Sequence, residues 1–333
     1  MAREKIRTVK LRGDSLEKVR KMVAIIEDFS RQGLRLTARQ LYYQFVSKAF
    51  IPNEVKEYKK LTALLTDARY AGLVDWDAIE DRGRVPETPS DWKNLEGLVE
   101  SALRAYRLPR WEGQSKYVEL WVEKQALAGV LAPLAHEHHA TLMVNKGYSS
   151  ASAMKESASR FRSKIILDEE RLFDVEARIA DVVEEYGEKS EDAESIKADY
   201  EDEISELVRP SVILYLGDHD PSGEDMVRDI QERLIEFGVH GLRVEKVALT
   251  MDQVRQYNPP PNPAKIKDPR AVAYIRKFGN KSWEVDALPP DVLARLINSA
   301  FARHIDRAKM AEVKKQEEID KKLLRKAVAT LRA

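Results

Sequence analysis

The chain has 333 residues, no cysteine, and 56 basic side chains balanced by 56 acidic ones, for a formal net charge of zero. That length suits two domains, and the lack of cysteine excludes disulfides, thiolate metal sites, cysteine nucleophiles and iron–sulfur clusters. No window approaches the roughly 18 apolar residues of a membrane span, and Met1-Ala2-Arg3-Glu4-Lys5 leads into mixed charge, so the expectation is a soluble, cytoplasmic protein with no membrane partner.

The zero total is a cancellation. Residues 168–207 hold 17 Asp/Glu and 4 Lys/Arg, a net of −13, which leaves +13 on the remainder. Residues 1–60 carry 15 basic and 7 acidic groups, and residues 303–333 carry 10 and 5. Such runs are ordinarily solvated helix faces, yet a chain that holds its acidic part aside keeps a basic surface able to bind phosphate.

In chain order, Leu36-Thr37-Ala38-Arg39-Gln40-Leu41 combines a capping box, Thr37 with Gln40, and a hydrophobic staple, Leu36 with Leu41, so a helix begins at Ala38. On it Leu41, Tyr42, Phe45, Val46 and Ala49 share one apolar sector, and Pro52-Asn53 ends it. Tyr43 falls outside that sector, one turn from Arg39, and is expected to be accessible. A second helix spans 54–71, with Val55, Tyr58, Leu61, Leu65 and Ala68 inward and Gly72 as its stop. Two helices around a Pro-Asn turn, followed by a segment around Gly83 that suits a β-wing, predict a winged helix-turn-helix over residues 1–110 with a basic N-terminal arm. Residues 86–116, with three prolines around an amphipathic helix at 91–106, form the linker.

From residue 111 the period alternates. Strands are predicted at 117–122, 141–145, 212–217 and 242–249, helices at 125–137, 149–162 and 222–237, and a late strand at 283–285. Strand–helix alternation predicts an α/β domain over 111–302 with a mainly parallel, Rossmann-like sheet. Within it Leu172, Val175, Ile179 and Val182/Val183 stand in a charged background with Gly187 near the middle, which predicts an inserted acidic helical hairpin over about 165–209. His136, His138 and His139 end a helix, where cationic groups are favourable, and residues 303–333 read as a charged C-terminal helix.

Sites in parallel α/β sheets form at the carboxyl ends of strands. The first strand runs into Glu123-Lys124, and the third into Gly217-Asp218-His219-Asp220-Pro221-Ser222-Gly223. Alternation puts Asp218 and Asp220 on one side and His219 on the other. Two neighbouring carboxylates repel, and Mg2+, or Mn2+ in its place, offsets that repulsion with oxygen ligands. Glu123 adds a third carboxylate or acts as general acid/base. Taken alone, an Asp-x-Asp is a turn with a helix cap.

Together, Glu123-Lys124, then Asn145-Lys146-Gly147-Tyr148-Ser149 after the second strand, then the Gly217 to Gly223 run, resemble the Toprim domain shared by topoisomerases, bacterial-type primases and several nucleases. The spelling is similar to the A subunit of type IIB topoisomerases (topoisomerase VI) and the related meiotic double-strand-break protein, over roughly residues 35–300. Ser149, where that family usually has proline, and the acidic insertion are departures. The resemblance implies a winged helix ahead of Toprim, Mg2+ held by Glu123, Asp218 and Asp220, and a tyrosine nucleophile in Arg39-Gln40-Leu41-Tyr42-Tyr43. Tyr43 is then the nucleophile, and Arg39 steadies its phenolate or the scissile phosphate. Lys124, Lys146 and Lys48 are the expected phosphate contacts on double-stranded DNA. The family's A subunits are dimers in which the tyrosine of one chain meets the metal site of the other, which implies a homodimer. Trp283-Glu284-Val285-Asp286 resembles the family's late strand-end segment, with Glu284 or Asp286 either near the metal or purely structural. No Gly-x-x-x-x-Gly-Lys-Ser/Thr loop occurs, so ATP-driven strand passage needs an ATPase partner subunit. Three functions stay open for a nucleoid-associated protein of this kind: Mg2+-dependent DNA cleavage by Tyr43, leaving a 5′-phosphotyrosyl bond; a Toprim nuclease of a defence or phage system, using water; and a non-catalytic DNA-binding or assembly protein.

Overall fold

Apolar residues at three- and four-residue steps build the N-terminal unit. The computed structural model of the chain describes residues 5–11, 13–80, 89–187, 190–264 and 268–331. In α1 (Asp14–Arg31), Val19, Met22, Ile25, Ile26 and Phe29 line one buried face. The short β1 (Leu36–Thr37) leads into α2 (Ala38–Ser47), whose start is the capping box spelled in the sequence: the Gln40 N–H donates to Thr37 Oγ1 at 3.1 Å and the Thr37 N–H to Gln40 Oε1 at 3.0 Å. The helix stops at Ser47, ahead of the expected stop at Pro52, because Ala49 takes a left-handed φ of 54° and turns the chain early. α3 (Val55–Tyr70) follows, with Val55, expected inward, exposed because it is the helix's first residue and lies ahead of the buried Leu61 and Leu65, and β2 (Ile79–Glu80) pairs in parallel with β1. Met22, Leu41, Phe45, Leu61 and Leu65 join the three helices in one core. The predicted wing around Gly83 lies outside the described residues. α4 (Leu95–Ala105) then leads to the second unit.

That unit is a parallel sheet. β3 (Tyr117–Val122), α5 (Ala128–Glu137), β4 (Leu142–Val144) and α6 (Ala151–Ile165) come first. α7 (Glu169–Tyr186) and α8 (Glu191–Leu207) interrupt, and β5 (Ser211–Leu216), α9 (Pro221–Glu236) and β6 (Leu242–Ala248) complete the four strands, in the order β4-β3-β5-β6. β3 and β5 are buried at every position, as continuous apolar strands between helix layers should be. β4 and β5 lie on opposite sides of β3, so the connections diverge between β3 and β5 and open a crevice at their carboxyl ends. α7 and α8 pack on each other through Leu172, Val175, Ile204 and Leu207 as a separate small core, and an Ile166–Val208 bridge closes the foot of this acidic hairpin.

Beyond the sheet come α10 (Met251–Tyr257), β7 (Asn262–Pro263), α11 (Ala271–Phe278) and β8 (Lys281–Ser282), with β7 and β8 antiparallel. The late strand expected at 283–285 is not formed. β8 ends at Ser282, Trp283 makes a single bridge to His219, and Val285–Ala287 is a 3-10 turn. Exchange of backbone hydrogen bonds between His219 and Trp283, at 2.8 and 3.0 Å, pins this turn across the end of β5. α12 (Pro290–Ala302) and α13 (Arg307–Leu331) end the chain, with α13 held to the linker by a bidentate Arg110–Glu317 pair at 2.8 and 2.6 Å. Among the described residues, no helix is long and apolar enough to cross a membrane.

One polar side chain breaks the apolar run of β3. Glu119 is 0% exposed and accepts four bonds: from the Tyr117 hydroxyl, Trp121 Nε1 and Arg160 Nε at 2.8 Å each, and from Arg160 Nη2 at 3.0 Å. Losing one member of a buried ion pair typically costs ~3–5 kcal/mol. The Arg160 side chain is 30% exposed and regains some water, which lowers the expectation. Glu119→Ala should therefore destabilise the fold by about 2–3 kcal/mol in urea unfolding. A loss under ~0.5 kcal/mol, typical of surface sites, would contradict the role given to this carboxylate.

Candidate active site

The crevice between β3 and β5 collects charge from four separated parts of the chain. Glu123 and Lys124 leave β3, Lys146 and Gly147 follow β4, Asp218 follows β5, and Glu284 and Asp286 come from the 3-10 turn. With Arg39 of α2 they line a cleft of about 540 Å³.

Each carboxylate is held by the fold. Asp218 Oδ1 accepts from the Val285 N–H at 2.9 Å, and the Asp218 N–H donates to Glu123 Oε2 at 3.1 Å. Gly223 permits this because a Cβ there would stand 2.2 Å from the Asp218 carbonyl oxygen. Burial and then the neighbouring Asp218 charge push the Glu123 carboxyl above its usual range. Asp218 is raised as well, by burial first, against the pull of Lys124. Asp286 is 1% exposed, and burial pushes its carboxyl up to about 6. Burial works against the ionised form of Glu284 too, but Lys124 and then Arg39 outweigh it and hold that carboxyl below its ordinary value.

Lys124 is the local counter-charge. Its ammonium stands 3.0 Å from Asp218 Oδ1, 2.9 Å from Glu284 Oε2 and 3.4 Å from Asp286 Oδ2. Burial alone would lower its pKa, yet Asp286, Asp218 and Glu284 together raise it. Arg39 adds a second cation, with Nη2 at 2.5 Å from Glu284 Oε1 and Nε at 3.7 Å from Asp286 Oδ2. Among the described residues, no three His, Cys, Asp or Glu side chains stand close enough together to hold a metal ion. The Lys124 ammonium takes the space between three of them.

One sequence expectation is corrected. Tyr43, expected to be accessible, is 2% exposed. Its helix is covered on both sides, by its own core and by Asn262, whose Nδ2 donates to the Tyr43 hydroxyl at 3.4 Å. Burial and then Glu284 push the Tyr43 hydroxyl up to about 12, so it is a neutral phenol at pH 7. Asp220 caps α9, its Oδ1 accepting from the Gly223 N–H at 2.7 Å and from the Ser222 hydroxyl at 2.8 Å, and after Asp218 its charge adds to the upward push on the Glu123 carboxyl. β5 ends at Leu216, so the start of α9 rather than strand alternation sets the place of Asp220. Lys48 is exposed at the end of α2 and does not line the cleft. Glu123, Lys124, Lys146, Asp218 and Arg39 are brought together, and Glu284 and Asp286 join them. The acid-apolar-acid spacing of Glu284-Val285-Asp286 was the available signal for the last two.

No protein-family model and no curated protein matches this chain.

The buried Asp286 has a stability signature. Its carboxyl titrates near 3.8 when unfolded and about 6 when folded, so ionisation costs the native state stability that is lost as pH rises from about 4 to 6 and stays lost above. In metal-free buffer Asp286→Asn should be more stable than wild type at pH 8 by about 2–3 kcal/mol, with the advantage vanishing towards pH 4. A variant less stable than wild type at pH 8 would contradict this.

Proposed function

We propose that this protein cuts the backbone of double-stranded DNA with a divalent cation, Mg2+ or Mn2+, in a Toprim-like site, with its N-terminal helices serving as a winged-helix DNA-binding unit. The observation that carries the reading is the convergence of Glu123, Asp218, Glu284 and Asp286 with Lys124, Lys146 and Arg39 in one cleft at the carboxyl ends of β3 and β5. Clustered carboxylates suit a hard cation, and cationic side chains beside them suit a phosphodiester. A bound divalent ion supplies charge stabilisation for the phosphate oxygens and lowers the pKa of attached water. Glu123, with its raised carboxyl beside the cleft, accepts the proton of the attacking group. Lys146, exposed at the rim, and Arg39 hold the phosphate.

Burial of Tyr43 favours water as the attacking group. Transesterification through Tyr43 requires α2 to leave Asn262 and the 284–287 turn. The homodimer with attack in trans, and an ATPase partner subunit, belong to that second reading, which rests on the position of Tyr43 one turn from Arg39.

The test is a supercoiled plasmid incubated with purified protein and Mg2+. Nicked or linear DNA should form without a protein–DNA adduct, persist in Tyr43→Phe within about threefold, and fall at least ~100-fold in Asp218→Asn. Adducts that disappear in Tyr43→Phe would assign the tyrosine route. Intact plasmid with both Mg2+ and Mn2+, together with wild-type DNA binding by Asp218→Asn, would leave a non-catalytic DNA-binding protein.

A further inference from the structure

Asp220 Oδ1 is taken by the cap of α9 and Asp220 does not line the cleft, whereas a carboxylate from another segment does. That carboxylate stands on the 3-10 turn. Asp286 lines the cleft, is 1% exposed, and has one oxygen, Oδ1, with no hydrogen-bond partner among the described residues. A buried carboxylate oxygen without a donor is costly unless something else satisfies it. The same side chain shares Lys124 with Asp218: the ammonium lies 3.0 Å from Asp218 Oδ1 and 3.4 Å from Asp286 Oδ2, and so stands between the two carboxylates. Lys124 is thus placed where a cation binding both would sit.

We propose that Asp286, in place of Asp220, joins Asp218 in binding the divalent cation, and that the Lys124 ammonium holds the cation's position until the metal displaces it. The proposal rests on the metal-dependent reading of the cleft. Mg2+ binds oxygen ligands at ~2.0–2.1 Å, and an ammonium 3.0 Å from Asp218 Oδ1 competes for the same oxygens. Metal and ammonium therefore exclude each other. On displacement, the flexible stem of Lys124 carries its charge away from the carboxylates into a cleft already lined by Lys146, where it meets a phosphate. The metal-free protein keeps its acidic cluster neutralised, and a phosphate-binding cation is released only when the metal arrives.

Mn2+ binding to the full-length protein, followed by loss of the free-ion signal in electron paramagnetic resonance, tests this. Asp286→Asn and Asp218→Asn should each weaken binding at least tenfold, and Asp220→Asn less than threefold. Lys124→Met should tighten binding at least threefold, since the competing ammonium is gone. Mn2+ affinity unchanged in Asp286→Asn but lost in Asp218→Asn overturns the assignment while leaving metal dependence intact. A loss in Asp220→Asn as large as in Asp218→Asn, with α9 still folded by circular dichroism, also overturns it, as does weaker binding in Lys124→Met. Wild type that binds no Mn2+ and cuts no plasmid removes both this proposal and the reading it rests on.

Discussion

Carboxylates drawn together in a partly dehydrated cleft repel, and the fold around this cleft is arranged to offset that repulsion. Asp218, Glu284 and Asp286 come from segments far apart in the chain, yet one ammonium, Lys124, touches all three. Removing such a cation without a substitute would leave buried like charges facing one another, which is far more costly than losing an exposed ion pair. Backbone donors contribute as well, since the Val285 N–H serves Asp218 and the Asp218 N–H serves Glu123. The 3-10 turn that carries Glu284 and Asp286 is therefore as much a part of the cleft as the strand ends.

The same charges join the two units of the chain. Arg39 reaches from α2 to Glu284 and Asp286, while Ala287, next in sequence to Asp286, packs into the core of the N-terminal helices. Asn53 reinforces the contact by donating to the Pro261 carbonyl at 2.8 Å. Tyr43 is buried as a result of this joint. An agent that withdraws Glu284 and Asp286 from their cations also weakens what holds α2 in place, so cation balance in the cleft and the position of α2 are coupled through shared side chains. The acidic hairpin stands apart from this balance, with its own small core and its foot closed by the Ile166–Val208 bridge. The zero net charge of the chain thus averages over regions of opposite sign.

Local chemistry was readable in the sequence. The Thr37/Gln40 cap placed the start of α2, and the apolar run 117–122 is β3 residue for residue, because a doubly covered strand needs no partner pattern to be recognised. Gly187 and the spaced apolar residues ahead of it, Leu172 to Val183, marked the hairpin. Contacts made at long range were not readable. Helical periodicity allots one buried face to α2 and has no view of Asn262, 219 residues away, so Tyr43 was placed outside. Strand alternation ends with the strand, and so gave no view of the cap that Asp220 Oδ1 makes on α9. Lys124 and Glu284 meet across 160 residues, brought together in part by the bridge from His219 to Trp283. The motifs marked the strand ends of the cleft and left Glu284 and Asp286 open between a place near the metal and a structural one; the fold puts both on the cleft's lining.

We propose that this carboxylate cluster holds a divalent cation. Crystals soaked in Mn2+ and measured at the manganese absorption edge test it most directly. The expected result is one anomalous peak between Asp218 and Asp286, within bonding distance of both, with the Lys124 side chain turned out of the cluster. No peak in the cleft, with Lys124 still bridging Asp218, Glu284 and Asp286 under saturating Mn2+, would show that the lysine is the permanent counter-ion and would contradict the account.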